Sequence, residues 1–141
     1  GAGTVLDRAM VEPLAAAGAK LLVAPNCDPA TIAAGLSHGM EVLPGVLTPS
    51  EAFAAVAAGA RRLKLFPAGS LPRSHVTALK DVLPRATGIW AVGGVTVQNA
   101  GDWLAAGVEG IALGGAIYRP NDSAPDVARR ATELCRALAP A

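Results

Sequence analysis

The octapeptide Arg61-Arg62-Leu63-Lys64-Leu65-Phe66-Pro67-Ala68 has the pattern of one short strand that ends at a proline. Successive side chains of a strand face opposite ways, so Leu63 and Leu65 share one face and Lys64 points to the other. If both faces are covered, burial lowers the pKa of Lys64 and leaves an amine able to form a Schiff base with a ketone. The alternative is a lysine on an exposed strand edge, with its charged head in water.

A strand followed by a breaker and a capped helix recurs along the chain, and Asp28 and Thr48 stand at two of the helix starts. Strands are predicted at residues 1–6, 21–24, 41–43, 62–66, 89–92 and 110–113. A turn is predicted at Pro44-Gly45. Helices are predicted at about 7–17, 28–37, 48–59, 74–83, 97–106 and 123–138. Continuous apolar strands that alternate with helices indicate a parallel sheet covered by helices.

Six such units favour an α/β fold of the barrel type. A closed (β/α)8 TIM barrel needs eight units and typically about 200 residues or more, whereas this chain has 141 residues. Because the chain begins in mid-strand at Gly1, we expect residues 1–141 to be a single domain, the C-terminal three-quarters of such a barrel, with the two N-terminal βα units missing. The rival architecture is an open, doubly wound sheet of six strands, which would be complete at this length.

Charge and composition argue against several classes of partner. The 12 Lys and Arg residues nearly balance the 11 Asp and Glu residues, so nothing favours nucleic acid or an anionic membrane. No apolar run reaches the roughly 18 to 20 residues of a membrane span. The histidines His38 and His75 are too separated for a metal site, so we predict no metal. Cys27 and Cys135 are predicted to be the free thiols of a cytoplasmic protein.

Chemistry in parallel α/β proteins collects where strands run into the loops before helices. Two strands end there in a diglycine, Gly93-Gly94 and Gly114-Gly115. A missing side chain lets an anion approach backbone N–H groups, so two neighbouring diglycines indicate a phosphate site. Each diglycine alone also fits a tight strand-to-helix turn. The candidate residues at the strand ends are Thr4, Pro44, Lys64, Phe66, Val92, Gly93, Gly94, Gly114 and Gly115.

Other conspicuous residues are assigned no chemistry. Arg129 and Arg130 are predicted to lie on the solvated face of the last helix. Trp90 and Trp103 are predicted to be packing residues, one in a strand and one in a helix.

Five segments carry a family resemblance: Gly-Ala-Gly-Thr-Val-Leu (1–6), Leu-Pro-Gly-Val-Leu-Thr-Pro-Ser-Glu-Ala (43–52), Lys-Leu-Phe-Pro-Ala (64–68), Ala-Val-Gly-Gly-Val (91–95) and Leu-Gly-Gly-Ala-Ile-Tyr-Arg (113–119). Together they resemble the 2-keto-3-deoxy-6-phosphogluconate and 2-keto-3-deoxy-6-phosphogalactonate aldolases. The resemblance implies a homotrimeric (β/α)8 barrel and a class I lyase without metal or cofactor. It implies reversible cleavage of a six-carbon phosphorylated keto acid to pyruvate and D-glyceraldehyde 3-phosphate.

The resemblance also implies roles for single residues. Lys64 would be the Schiff-base lysine, with Phe66 packed beside it. Thr4 would lie near the pyruvyl carboxylate or carbonyl, and Pro44 would line the pocket. The phosphate would be held by Gly93, Gly94, Gly114 and Gly115.

Val92 favours one branch of this family. The gluconate enzymes tend to have a threonine there, with its hydroxyl in the pocket. A methyl in place of a hydroxyl changes which C4 epimer finds a hydrogen bond. Val92 therefore favours the 6-phosphogalactonate substrate over the 6-phosphogluconate substrate.

The sequence also departs from the family pattern. The family's general acid/base glutamate and a carboxylate-binding arginine would lie upstream of Gly1, and neither Glu41 nor Glu51 matches that glutamate. Gly115-Ala116 stands where these enzymes usually have a serine, which would remove a hydroxyl contact to the phosphate. We therefore expect the chain alone to form the imine poorly and to turn over slowly. The alternatives to a galactonate enzyme are a gluconate aldolase, a non-catalytic phosphate-binding barrel and a bare structural fragment.

Overall fold

The computed structural model describes residues 1–138 of the chain. The strands in this range are β1 (Ala2–Gly3), β2 (Leu21–Val23), β3 (Glu41–Leu43), β4 (Gly45–Val46), β5 (Arg62–Leu65), β6 (Gly88–Val92) and β7 (Gly110–Ala112). The α-helices are α1 (Val11–Ala16), α2 (Pro29–Ser37), α3 (Pro49–Ala57), α4 (Ser74–Val82), α5 (Ala100–Ala105) and α6 (Ala124–Leu138). Within residues 1–138 there is no helix with the length and apolar character that crossing a membrane requires.

Each strand pairs in parallel with a strand next to it along the chain. One sheet contains β1, β2 and β3, and a second contains β4 to β7. Backbone hydrogen bonds join the sheets, since the Lys64 N–H donates to the Pro44 carbonyl (2.8 Å) and the Gly45 N–H donates to the Asn26 carbonyl (3.1 Å). The predicted turn at Pro44-Gly45 is wrong: Gly45 pairs with Lys64, so Pro44 interrupts one strand that β3 and β4 share.

This strand order distinguishes the two predicted architectures. A doubly wound sheet reverses direction, so some neighbouring strands are not consecutive in sequence. Throughout residues 1–138 the order follows the chain, and with β3 and β4 as one strand the six predicted strand–helix units are present. The doubly wound sheet is therefore wrong. Right-handed crossovers between consecutive strands place the helices on one face of the sheet.

Capping residues set the starts of two helices as predicted. The Asp28 side chain accepts a hydrogen bond from the Thr31 N–H (2.9 Å) at the start of α2. Thr48 and Glu51 form a reciprocal capping box at the start of α3. Each cap satisfies backbone donors that have no partner inside the helix, so the helix begins at that residue.

Several elements are shorter than predicted. The helix predicted at 7–17 is α-helical only over Val11–Ala16 and begins with a 3-10 turn at Arg8–Met10, and β1 and α5 differ as follows. β1 does not extend over residues 1–6, because Thr4 adopts a φ of 57°, outside the extended region, and ends the strand. α5 begins later than predicted because Thr96 and Asn99 close a turn before it. In that turn each side chain accepts a hydrogen bond from the other residue's N–H, at 2.9 Å and 3.3 Å.

The face of the sheet that packs against the helices is apolar and tightly filled. Leu63 and Leu65 of β5 are fully buried, as their alternation predicted. Gly35 of α2 lies so close to the sheet that a Cβ there would stand 2.7 Å from Val42 Cγ2. Trp103 is fully buried in the same core, which confirms its predicted packing role. This core covers one face of β5, so Lys64 points to the opposite face of the sheet.

The opposite face of the sheet, which we call the inner face, carries Lys64. Gly45 and Trp90 are the register partners of Lys64, and Gly110 is the partner of Trp90, so all of them share this face. The indole of Trp90 lies over Gly110, where a Cβ would come 2.7 Å from the ring. Gly110 on β7 thus makes room for the indole on β6, which agrees with the predicted packing role of Trp90.

The side of the second sheet that is formed by its last strand, β7, is only partly covered. α6 is amphipathic as predicted, but none of its residues is buried. Leu134 and Leu138 touch the core while remaining partly exposed. Every residue of β7 is likewise only half-buried.

Candidate active site

Lys64 lies in the middle of β5 with its side chain on the inner face. Only 8% of the residue is exposed, so the alternative of a lysine in open water is wrong. Burial lowers the pKa of Lys64 below the ordinary value for lysine, because desolvation penalises the charged ammonium. Among residues 1–138, no carboxylate forms an ion pair with this amine to offset the penalty. Compared with an exposed lysine, the site therefore shifts this amine toward its neutral, nucleophilic form.

Three other predicted site residues lie around this lysine. Its Nζ is 4.3 Å from the centre of the Phe66 ring. Pro44 is buried, and its carbonyl accepts the backbone hydrogen bond of Lys64. Gly93 lies against Phe66, since a Cβ on Gly93 would come 2.9 Å from Cε2 of the ring. The structure thus brings Lys64, Phe66, Pro44 and Gly93 together.

The first diglycine is held by a third glycine that the sequence prediction missed. Gly93 and Gly94 adopt φ values of 83° and 77°, in the region that favours glycine. The Gly69 N–H donates to the Gly93 carbonyl (2.7 Å). Gly94 touches Gly69 so closely that a Cβ on Gly94 would lie 2.8 Å from Gly69 Cα. The available sequence signal for Gly69 was its place just after the proline that ends β5.

The second diglycine leaves the neighbouring strand. Val92 is the register partner of Ala112, so Gly93-Gly94 and Gly114-Gly115 follow β6 and β7 at the same edge of the sheet. Gly114 and Gly115 are exposed, and nothing lies within 4 Å of where their Cβ atoms would stand. The two diglycines are therefore neighbours, as predicted, and the second borders open space.

Thr4 stands at the same carboxyl edge but at the far end of the sheet. Three strand spacings separate β1 from β5, or roughly 14 Å along a flat sheet. Thr4 is exposed, and its φ of 57° is a strained value for a β-branched residue. Such strain costs about 1–3 kcal/mol and collects at functional sites. The predicted contact of Thr4 with the pyruvyl group stays a prediction.

The glutamates that were set aside in the sequence are engaged away from Lys64. Glu41 and Glu109 both pair with Arg62, at 3.1 Å and 2.8 Å, at the amino ends of the strands. The Glu51 carboxylate accepts two backbone hydrogen bonds at the start of α3 (2.9 Å and 2.8 Å). These bonds lower the pKa of Glu51. Glu41 and Glu51 thus both have structural partners away from Lys64.

Arg130, which was predicted on the solvated face of α6, is half-buried instead. Its guanidinium donates to the Ile117 carbonyl (2.9 Å) and pairs with Asp122 (2.8 Å). Arg129 is exposed as predicted and pairs with carboxylates of its own helix. The physical reason is helix geometry, because Arg130 stands three residues after the half-buried Val127 and shares its side of α6. A helical projection of the apolar positions was the signal that could have shown this.

Consecutive parallel strands, helices on one face, and a buried lysine beside glycine loops at the carboxyl edge are the features of a TIM-barrel-type α/β protein. The family model described as "KDPG and KHG aldolase" matches residues 1–132, so the chain belongs to this aldolase family. The family resemblance seen in the sequence is confirmed.

Two curated relatives and one solved structure are similar to the chain. The "Probable 2-dehydro-3-deoxy-6-phosphogalactonate aldolase" of Rhizobium meliloti (strain 1021) is 50% identical over 93% of this chain and 62% of its own length. The 2-dehydro-3-deoxy-6-phosphogalactonate aldolase of Escherichia coli (strain K12) is 42% identical over 97% of this chain and 67% of its own length. The solved "Native KDPGal structure" aligns with a TM-score of 0.95 and 42% identity, over 97% of this chain and 66% of that one. The chain therefore spans about two thirds of these relatives' length, and less than that of the first.

Proposed function

We propose that this chain carries the Schiff-base lysine of a class I aldolase that cleaves 2-dehydro-3-deoxy-6-phosphogalactonate to pyruvate and D-glyceraldehyde 3-phosphate. The observation that carries the proposal is the amine of Lys64, which is buried over Phe66 beside the Gly93-Gly94 loop. Its lowered pKa supports a nucleophilic role. The names of the relatives at 50% and 42% identity support this reaction and substrate.

In this mechanism the neutral amine of Lys64 attacks the C2 ketone, and loss of water from the carbinolamine gives a cationic iminium. The iminium accepts the electron pair of the C3–C4 bond as that bond breaks. The C4 hydroxyl loses its proton and becomes the aldehyde of glyceraldehyde 3-phosphate. The remaining enamine is protonated at C3, and hydrolysis of the imine releases pyruvate. Because the iminium is the electron sink, the cleavage needs no metal or cofactor.

The proton transfers need a positioned acid or base. We place the general acid/base glutamate and the carboxylate-binding arginine on two further βα units, so that residues 1–141 are the C-terminal three-quarters of a (β/α)8 barrel. The 62% and 67% coverage of the two relatives and the partly uncovered β7 and α6 support this placement. On this proposal the 141-residue chain alone forms the imine poorly and turns over slowly.

The remaining predicted residues divide between the two ends of the substrate. We assign the pyruvyl end to Thr4 and a pocket-lining role to Pro44, and the hydrogen bond from the Lys64 backbone N–H to the Pro44 carbonyl supports the second assignment. The adjacent strand ends and the positive φ values of the first diglycine support a shared phosphate site. Its members are Gly93, Gly94, Gly114 and Gly115.

Val92 is proposed to select the C4 epimer. It stands two residues after Trp90 and so points to the inner face with Lys64. Replacement Val92→Thr adds a hydroxyl at that position, so we expect the ratio of kcat/KM values to shift toward the 6-phosphogluconate epimer, by about tenfold for one hydrogen bond. The ratio is measured from the turnover of both epimers by the protein extended to the length of its relatives. An unchanged ratio would show that Val92 does not select the epimer.

Borohydride trapping tests the proposed lysine. The chain has three lysines, Lys20, Lys64 and Lys80, so mass analysis of peptides after reduction with pyruvate identifies the labelled one. We expect label on Lys64, lost in Lys64→Met and retained in the exposed control Lys20→Met. Label on Lys20 or Lys80 overturns the site. Absence of label on every lysine, both in this chain and in the protein extended to the length of its relatives, overturns the Schiff-base function.

The homotrimer implied by the family resemblance and the cytoplasmic location predicted from the free thiols also remain proposals. Leu47 and Phe53, beside and within α3, leave 36% and 46% of their surface exposed, which supports association between copies. Analytical ultracentrifugation measures the assembly. A monomer at all concentrations would contradict the trimer.

A phosphate-binding domain without catalysis is the second candidate. It is favoured by the lack, within residues 1–138, of a carboxylate paired with Lys64. It predicts binding of glycerol 3-phosphate with no trapping of pyruvate, even after the chain is extended to the length of its relatives.

A further inference from the structure

The loop between β7 and α6 is attached to the protein by hydrogen bonds more than by packing. It begins with a helical turn in which the N–H groups of Ile117 and Tyr118 donate to the Gly114 carbonyl (2.9 Å and 3.0 Å). Gly114 and Gly115 have no atom within 4 Å of their Cβ positions, so no neighbouring side chain wedges them in place. α6, which follows the loop, has no buried residue to anchor it.

Asp122 and Arg130 are the centre of the hydrogen bonds that hold this loop. The Asp122 carboxylate accepts from the Arg119 N–H (2.6 Å) and pairs with the Arg130 guanidinium (2.8 Å). The same guanidinium donates to the Ile117 carbonyl (2.9 Å), which lies in the helical turn. The Arg119 side chain donates to the Gly115 carbonyl (3.1 Å). One pair of side chains therefore connects α6 to both ends of the loop.

This pair differs from the other ion pairs of α6. The side chains of Arg130 and Asp122 are 18% and 17% exposed, whereas Arg129 is 60% exposed and pairs with carboxylates one turn away. Exposed ion pairs within one helix contribute little to the free energy of folding, and they hold no other segment of the chain in place. A half-buried guanidinium with two partners in a loop fixes the position of that loop.

We propose that Arg130 and Asp122 are positioning residues for the phosphate site, holding the Gly114-Gly115 loop where its backbone meets the phosphate of the substrate. This inference rests on the proposed function. Ala116 has no polar side chain, so the segment from Gly114 to Ala116 can offer an anion only its backbone N–H groups. The binding of the anion then depends on where the backbone stands, and a shift of about 1 Å costs much of the interaction.

Glycerol 3-phosphate is the probe for this proposal, with its dissociation constant measured by calorimetry on the full chain. Replacement Arg130→Gln is expected to raise that constant about tenfold, while borohydride trapping of pyruvate on Lys64 stays at the wild-type level. Arg130→Lys keeps one charged contact and is expected to restore part of the affinity. The neighbouring control Arg129→Gln is expected to change neither measurement.

The outcomes separate this proposal from the proposed function. Wild-type affinity in Arg130→Gln, or equal loss of pyruvate trapping and phosphate binding in a natively folded variant, overturns the positioning role. If Arg130→Gln does not fold, Asp122→Asn, which keeps the side-chain shape, decides by the same two measurements. A wild-type chain that traps pyruvate but does not bind glycerol 3-phosphate overturns the positioning role alone. A wild-type protein that binds the probe but never traps pyruvate, even when extended to the length of its relatives, overturns the aldolase and leaves the loop proposal standing.

Discussion

A buried lysine lowers the stability of the protein that contains it, and Lys64 allows that cost to be measured. Its pKa is lower in the folded chain than in the unfolded chain because of desolvation. Between the two pKa values the unfolded state binds more protons, so stability rises with pH across that interval. Below the folded pKa the ammonium is buried and the whole penalty is present. The same property that makes the amine reactive therefore destabilises the fold at neutral pH.

Replacement of Lys64 by methionine is expected to remove this penalty. The free energy of unfolding at pH 7 should rise by about 1 kcal/mol, the size of a typical stabilising substitution. The gain should shrink as pH rises toward the ordinary pKa of lysine. Urea denaturation at several pH values measures it, with the exposed Lys20→Met as control. A Lys64→Met chain less stable than wild type at pH 7 would contradict the argument.

Gly93 is constrained both by its φ and by its neighbour. At φ 83° an alanine costs about 1–2 kcal/mol, and its Cβ would meet the Phe66 ring. We expect Gly93→Ala to lower the free energy of unfolding by at least this amount and to weaken phosphate binding. Gly101, in α5 with nothing near its Cβ position, is the matched control. Gly101→Ala should instead stabilise the chain by about 0.5–1 kcal/mol, so equal effects of the two changes in urea would count against a special role for Gly93.

Hydrogen bonds between residues close in sequence decide where a helix begins, and α3 shows this most clearly. The Thr48 hydroxyl caps the Glu51 N–H, and the Glu51 carboxylate returns bonds to the loop. Thr48→Ala should cost about 1 kcal/mol in urea denaturation. Hydrogen bonds lower the pKa of Glu51 in the folded state, so its contribution is present above the unfolded pKa and lost as pH falls through the folded value. The penalty of Thr48→Ala should therefore shrink in acid, and a penalty independent of pH would contradict this coupling.

Elements whose signals are local could be predicted from the sequence, whereas contacts between elements could not. The caps at Asp28 and Thr48 depend on residues three positions apart, so the sequence contains the whole interaction. Gly69 matters only because another strand end brings Gly93 and Gly94 against it. No local pattern records such a contact. The Pro44-Gly45 pair was misread for the same reason, since a proline and glycine usually turn a chain but here Gly45 pairs with a strand 19 residues later.

Across the whole molecule, the six repeated units predicted the parallel order of the strands, whereas the lysine between two leucines left burial and an exposed edge both open until the structure decided for burial. The part that sequence could not supply is how completely each unit is covered. Leu79 of α4 is 1% exposed, whereas Leu134 of α6 packs against the same core and remains partly exposed. Both are leucines at apolar positions of amphipathic helices, so their sequences look alike. The difference arises because α4 lies over the middle of the sheet and α6 lies at its β7 end.

This uneven cover predicts uneven stability within one chain. Leu79→Ala should cost about 2–5 kcal/mol, as expected for a fully buried leucine. Leu134→Ala should cost about 1 kcal/mol, because much of that side chain already contacts water. Hydrogen exchange should follow the same order, with amides of β5 and β6 exchanging last and those of α6 exchanging first, since local opening exposes little apolar surface there. Equal costs for the two leucines, or α6 amides as protected as those of β5, would show that α6 is held by something other than the contacts described for residues 1–138.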